Sequence, residues 1–549
     1  MIIRKAKKGY YNPDEPLKLN DHAKPVTRRE FIQQGFMTGA ATVTAPTLFS
    51  LFANPREARA TLSSDINTIL NNNCGGRPLA SRIPFICFDL AGGANIAGSN
   101  VLVGGAGGQK DFLSTAGYDK LGVPGDMKPG INNTDPLNPV SEFFNEDLGL
   151  AFHSDSGMYK GIMDSLGAGT SNNINGSVIA ARSDNDTGNN PHNPMYGIAK
   201  TGQDGRLLTL IGSRNSNSGG NSMAPMSLYD ANIRPTKVDR PSDVQGLVDT
   251  GELGNLFATP QDTVYVMEAI QRLSDKKLNN VNTNITADAV IKEMIRCGYV
   301  KSADLVDEFG NPASLNPDAD TDIVGASGIF STAEYNSDNE YRKTASVMKL
   351  VCNGYAGAGT ITMGGYDYHT GDRVTGEIRD YRAGRCIGAC LEYAARVGTP
   401  LMLYVFSDGS VSSNGRIDNS VSTQTLKDGS TPIYDGGASG KGEWTSDNSG
   451  TASSMILVYN PGGRPVLIDD GSIPVERRQQ IGYFTSEANV VTSSSPAANN
   501  VVSLVDMVLL NYMALNNELG NFTSTFPGHG LGSNYADYVS FEGIFTPTP

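Results

Sequence analysis

The sequence predicts an α/β protein: a mostly parallel central sheet flanked by helices and interrupted by long loop insertions. Three observations carry this. Short, almost wholly apolar runs such as Ile83–Leu90 and Pro400–Phe406 read as strands buried on both faces. Amphipathic runs of helical spacing lie between such strands, the clearest from Val374 to Val397, and return the chain for parallel pairing. No repeat of solenoid or propeller length is present, and the 63 glycines, with many Asn, Ser and Thr, point to long polar excursions.

The elements follow in order. Ile83–Leu90 ends on Asp89 and runs straight into Ala91-Gly92-Gly93-Ala94-Asn95. The glycines from Gly92 to Gly108 lack both GxGxxG before a helix and the P-loop spacing, so they read as a loop that lets backbone approach a site. Residues 111–150 form a loop-dominated insertion, followed by a short helix from Gly157 to Leu166 and strands at Ser177–Ala181 and Leu207–Ile211. Between those strands a polar loop holds His192, which reads either as an ordinary surface residue or as one facing the site. Helical spacing returns at 263–276 and 287–306, read as cover for the sheet, before a second insertion at about 310–340. Within it Asp318, Asp320 and Asp322 resemble the start of a calcium loop, but Ile323 and Ile329 stand where an EF-hand needs Gly and Glu, leaving only a looser calcium site. A helix from Glu340 to Val351 leads to a strand, Gly359–Met363, that runs on into Gly364-Gly365-Tyr366-Asp367-Tyr368-His369. After the helix to Val397, Pro400–Phe406 ends in Ser407-Asp408-Gly409. A third insertion, 414–453, is poor in apolar residues and reads as a long loop or hairpin. Ser454–Tyr459 is a further strand, Val501–Asn516 a terminal helix, and a tail without periodicity follows Gly520.

Thr27-Arg28-Arg29-Glu30-Phe31-Ile32, the weakly apolar stretch Gly35–Phe52 and Ala58-Arg59-Ala60 have the form of a twin-arginine export signal over residues 1–60, with a mature chain, 61–549, read as one large domain in the periplasm or outside the cell. No later window has the eighteen uncharged apolar residues of a transmembrane helix. The first sixty residues hold 10 basic and 5 acidic side chains; the rest carries 33 against 52, a balance of −19. Such acidity repels nucleic acid and anionic lipid. Six cysteines allow fifteen pairings if all are bridged, although Cys87, Cys386 and Cys390 sit in apolar patterns and read as small buried side chains. CxxC zinc spacing and a CxxCH haem site are absent.

Chemistry concentrates where strands stop. In open parallel sheets ligands bind beyond the carboxyl ends of the strands, so Asp89, Asp367, His369 and Asp408 are candidate ligands of a divalent metal, with Zn, Mn or Ca suiting oxygen and imidazole donors. Residues two apart on an extended segment share a side, which puts Asp367 and His369 together. The plainer reading stands beside it. Asp89 and Asp408 could cap the turns that follow them, and Arg373, Arg379, Arg382 and Arg385 could neutralise these carboxylates without any ion.

The leader, the strand-Asp-Leu-Ala-Gly-Gly-Ala-Asn segment, Phe152-His153, Gly-Gly-Tyr-Asp-Tyr-His at 364–369 and Phe406-Ser407-Asp408-Gly409 together resemble an uncharacterised, twin-arginine-exported bacterial family related to the alkaline phosphatases and sulfatases. That family shows Arg-Gly-Gly-Ala-Asp-Gly, Gly-Trp-Asp-Thr-His and Ser-Glu-Phe-Gly-Arg at the matching places, then Asp-His before a late strand. The resemblance implies an alkaline-phosphatase-like sheet, two neighbouring metal positions and a hydroxyl nucleophile. The departures are specific: Asn95 replaces the second acid of the first motif, Asp408 replaces a Glu, and within Trp444-Thr445-Ser446-Asp447-Asn448 only Asp447 survives of the late Asp-His pair. Ser99 and Ser154 are the candidate nucleophiles.

Two functions remain open at this point. One is a metal-dependent hydrolase of phosphate or sulfate esters acting on a small anionic ester. The other is a non-catalytic periplasmic or cell-surface binding or assembly protein that keeps the fold and engages a glycan or protein partner through its polar loops.

Overall fold

The computed structural model describes residues 62–73, 82–130, 143–184, 190–247, 260–281, 288–309, 315–369, 371, 373–425, 432–437 and 440–545. The leader read in residues 1–60 lies outside them. The chain falls into two compact units, one of residues 78–247 and 313–549, the other of residues 1–77 and 248–312.

In the larger unit β1 (Phe85–Gly92), β2 (Ile174–Ala180), β3 (Leu208–Gly212), β4 (Thr236–Lys237), β5 (Ala356–Tyr366) and β6 (Leu401–Ser407) are followed by β7 (Val411–Asp418), β8 (Val421–Thr425), β9 (Pro432–Gly437) and β10 (Lys441–Asp447), then by β11 (Ser453–Tyr459) and β12 (Gln480–Ile481). Eight of these form one sheet in the order β12-β2-β11-β6-β1-β5-β3-β4. Only β11 runs against its neighbours; every other adjacent pair is parallel. This is the mostly parallel α/β sheet predicted, and it is consistent with the alkaline-phosphatase-like arrangement implied by the motifs. The third insertion is built as two antiparallel pairs, β7 with β10 and β8 with β9.

Helices cover both faces of the sheet. The main ones are α1 (Gly157–Ser165), α2 (Met195–Lys200), α3 (Asn339–Cys352), α4 (Arg373–Val397) and α5 (Val501–Leu515). Side chains alternate along β1, so Phe85 and Cys87 pack with Met402, Tyr404 and Phe406 against Leu504, Val508 and Leu509 of α5 and Tyr196 of α2. Helix α5 is apolar around most of its circumference because it is buried from Ser503 through Leu515. Each such Leu or Val contributes about 1.5–3 kcal/mol relative to exposure. On the opposite face, α3 and α4 pack against β5, β1 and β6. Side-chain caps start the helices: Ser156 accepts from Tyr159 N, Asp338 from Glu340 N and Asn500 from Ser503 N.

The helical runs expected as cover for the sheet are observed as Pro260–Asn279 and Asp288–Phe309, and they belong to the smaller unit. Val300 of the second packs with Ile66 and Leu70 of helix Ser64–Asn73, and Met267 and Ile270 of the first pack with Ala303 of the second. Periodicity shows that a helix has an apolar face, not which partner it meets. Cys87, Cys352, Cys386 and Cys390 are free and buried, and Cys297 is disulfide-bonded. No helix among the described residues is long and apolar enough to cross a membrane.

Candidate metal centre

Strand β1 lies between β5 and β6, which brings the three carboxyl ends side by side: Asp89 is opposite Thr362 and Phe406, Leu90 opposite Ser407 and Gly92 opposite Tyr366. What each end presents depends on a bulge. From the pair Leu90/Met363 to the pair Gly92/Tyr366, β1 advances two residues and β5 three. The extra residue falls at Gly364-Gly365, where Gly365 has φ +90°. It reverses the facing of the next side chains. Tyr366 and Tyr368 turn inward, Tyr366 donating to Arg379 O of α4 at 2.8 Å, while Asp367 and His369 turn out.

Tyr368 fixes that outward pair from below. Its hydroxyl accepts from Asn95 N at 2.8 Å and donates to Asp380 Oδ1 at 3.0 Å. Asn100 Nδ2 donates to Asp380 Oδ2 and to Asn95 O, and Ser99 Oγ donates to Asn95 Oδ1, so the network is fully buried. Burial, followed by the charge of Glu377, pushes the Asp380 carboxyl up to about 7. Gly92, at φ +128°, lets β1 pass under the turn, since a Cβ there would lie 2.3 Å from Asp367 N. The third partner arrives on β10, whose Asp447 pairs with Val411 in β7. Gly371 N donates to Trp444 O at 2.5 Å, and Trp444, the chain's single tryptophan, packs beside Tyr368 under the Arg373 guanidinium.

The outcome is one group with ligand chemistry. His369 Nε2 lies 2.8 Å from Asp367 Oδ1 and 3.8 Å from Asp447 Oδ1, and one donor atom from each of the three falls within 4.8 Å of the others. Ligands about 2.0–2.2 Å from a common ion stand at most about 4.4 Å apart. Side chains that are 42%, 32% and 39% exposed reach that by small rotations. The donor set fits a divalent cation and leaves coordination positions open. The four arginines read as alternatives to an ion are engaged elsewhere: Arg373 with Glu377, Arg382 with Asp338, Arg385 with Glu334, and Arg379 with Gly365 O.

Asp89 and Asp408 do not join this group among the described residues. Both are fully buried. Asp89 Oδ2 accepts from Asn221 N at 2.6 Å and Ser222 N at 2.9 Å, anchoring a loop. Its carboxyl is pushed upward by burial and in part by the charge of Asp408, against the pull of those two amides. Asp408 Oδ1 accepts from Asn190 Nδ2. His192 is buried as well, stacked on Phe406, with Nε2 2.8 Å from Ser183 Oγ; burial pushes it down to about 3. The expected four-ligand pocket is thus two groups, with Asp447 completing the outer one. Of the serines, Ser99 belongs to the buried network and Ser154 sits half-buried in the turn before α1. The Asp318–Asp322 segment is also committed to structure: Asp320 Oδ2 meets Lys349 Nζ at 2.6 Å and Tyr393 Oη at 2.9 Å, and Asp318 Oδ1 accepts from Tyr335.

Sequence reading missed the bulge and the Tyr368–Asp380 network. A glycine pair inside a strand pattern is a bulge signal. Nothing local marks Asp380, which is one of several acids on a long helix.

No family model matches the chain, and neither does any curated protein. Among solved structures a match is found to Leishmania mexicana phosphoglycerate mutase at low cobalt concentration, with 15% identity and a TM-score of 0.16, covering 39% of this chain and 30% of that one.

Proposed function

We propose that this protein is a hydrolase of phosphate or sulfate esters that works with a single divalent cation held by Asp367, His369 and Asp447, and that it acts in the periplasm or outside the cell after twin-arginine export. The observation that supports this most directly is the convergence of two carboxylates and an imidazole within 4.8 Å at the carboxyl rim of a mostly parallel sheet. A divalent cation bound there supplies Lewis acidity toward an ester oxygen and lowers the pKa of a water it carries. The chain's own part is to bind and orient. Tyr368 and Gly92 hold the Asp367-x-His369 turn, and β10 brings Asp447 to it. The motif resemblance to the phosphatase and sulfatase relatives points to the same ester class.

Metal analysis of the purified protein is expected to give close to one Zn, Mn or Ca per chain, with turnover of nitrophenyl phosphate or nitrophenyl sulfate that His369→Ala abolishes along with the metal. Protein that holds no metal and cleaves neither ester with added ions refutes the hydrolase.

A second reading, a binding or assembly protein on the same fold, is favoured by Asp89. A carboxylate at the end of a central strand that already accepts two backbone N–H groups is a structural anchor. That reading predicts metal binding without turnover.

A further inference from the structure

We propose that a cavity at the carboxyl ends of β3, β4 and β5 is a second, cation-independent binding site, for a small hydroxylated molecule carrying a phosphate or sulfate ester. The cavity has a volume of about 600 Å³, within the roughly 300–1,000 Å³ usual for small-molecule sites. Ser213, Arg214, Asn221, Lys237, Lys343 and Thr362 contribute to its wall, and no lining residue is aromatic. A wall of hydroxyls, amides and charges without a stacking surface suits a polyol or sugar ester better than a nucleobase.

Its charge selects an anion. Lys237 Nζ pairs with Asp239 at 2.7 Å, and Lys343 Nζ pairs with Glu340 at 2.8 Å while donating to Thr362 O at 2.7 Å. Arg214 is different. Its guanidinium is steered by the amide oxygen of Asn221 at 3.1 Å and meets no carboxylate among the described residues. The lining therefore holds three cations against two anions, in a chain whose formal charge is −14. A concave site of opposite sign to the rest of the surface concentrates anions, and a guanidinium offers the paired donors that a tetrahedral oxyanion accepts.

The wall is also built to keep its shape. Ser213 Oγ accepts from Thr362 N at 2.7 Å, joining the rim to β5. Asp89 clamps Asn221 and Ser222 from β1, and Arg234 braces the outside of the loop through Ser216 O and Asn215 Oδ1. A loop fixed at both ends and in the middle loses little entropy when a ligand arrives. Asp89, which stands outside the cation group, has in this site a role of its own.

The test is calorimetric titration of the full chain in EDTA with glucose 6-phosphate, glucose 6-sulfate and glucose. At least one ester is expected to bind with a millimolar or tighter constant, and glucose at least tenfold more weakly; binding by one ester alone identifies the oxyanion. Arg214→Gln is expected to weaken the ester tenfold or more, Lys237→Gln several-fold, and exposed Lys301→Gln not at all, with melting temperatures unchanged. His369→Ala, which removes the cation group, should bind the ester as the wild type does, so loss of hydrolysis and loss of this site are separate results. No ester binding, glucose binding as tight as the ester, wild-type affinity in Arg214→Gln, or equal loss in Lys301→Gln overturns the proposal.

Discussion

Replacing Tyr368 with Phe removes one oxygen and leaves the ring that packs beside Trp444. Two buried groups lose their partner: Asn95 N, which donates to that oxygen at 2.8 Å, and Asp380 Oδ1, which accepts from it at 3.0 Å. An unsatisfied buried N–H costs about 1–3 kcal/mol, a neutral hydrogen bond is worth about 1, and one to a carboxylate about 1.5–3. Asp380, pushed up to about 7, is protonated at pH 5 and ionised at pH 8. The loss of stability should therefore be about 2–3 kcal/mol at pH 5 and about 1 kcal/mol larger at pH 8. Urea unfolding followed by the fluorescence of Trp444, the single tryptophan, measures both. Because the same oxygen sets the Asp367-x-His369 turn, Mn²⁺ affinity in a fluorescence titration should fall about tenfold. A stability change below about 0.5 kcal/mol at both pH values, or one larger at pH 5, refutes the network. A full stability loss with unchanged Mn²⁺ affinity refutes its positioning role.

Gly92→Ala places a Cβ 2.3 Å from Asp367 N at φ +128°, so it should cost more than about 3 kcal/mol in the same unfolding assay and weaken cation binding; wild-type stability would show that the close approach is not required. His192 is held near 3, against an ordinary value of 6.5, so between those pH values the unfolded chain binds more protons and stability rises with pH, by on the order of 4 kcal/mol. His153, pushed down to about 4 by burial, adds to the same slope. Asp380 opposes both, because a carboxyl raised to about 7 makes the folded chain lose stability as pH climbs from about 4 to 7. Together these three groups make wild-type stability rise by about 2–3 kcal/mol from about pH 4 to 6.5, with Asp380→Asn roughly doubling the rise and His192→Gln leaving the profile nearly flat; unchanged slopes in both variants would contradict the assignments.

The strands and helices were largely legible because burial on both faces leaves unbroken apolar runs. Ile83–Leu90 and Pro400–Phe406 sit in the middle of the sheet, where they cannot alternate. The third insertion was less legible, since β7 through β10 pair in short antiparallel strands of largely polar residues. The helices Pro260–Asn279 and Asp288–Phe309 show a different limit. Their apolar stripes are as clear as those of α3, yet they pack on each other through Met267, Ile270 and Ala303, and the second meets Ile66 and Leu70, far away in sequence, through Val300. Amphipathicity states how much surface is to be covered and leaves the cover unnamed.

The site divides along the same line. Strand-end logic puts Asp89, Asp367 and Asp408 on one rim, and the register agrees: Gly92 is opposite Tyr366 and Leu90 opposite Ser407. A rim, however, has two faces and an interior, and which one a carboxylate occupies is decided by counting residues modulo two. Asp89 continues the Phe85–Cys87 side, where the α5 core and the Asn221–Ser222 amides enclose it. Asp367 would follow the parity of Ile361 and Met363 if β5 ran regularly, beneath the helices of the opposite face. The residue added at Gly364-Gly365 reverses that, sending two tyrosines inward and an acid and an imidazole outward. One residue in the register thus separates a buried anchor from an open ligand group. Deleting Gly364 should therefore bury what now faces solvent and leave Asp447 without its partners.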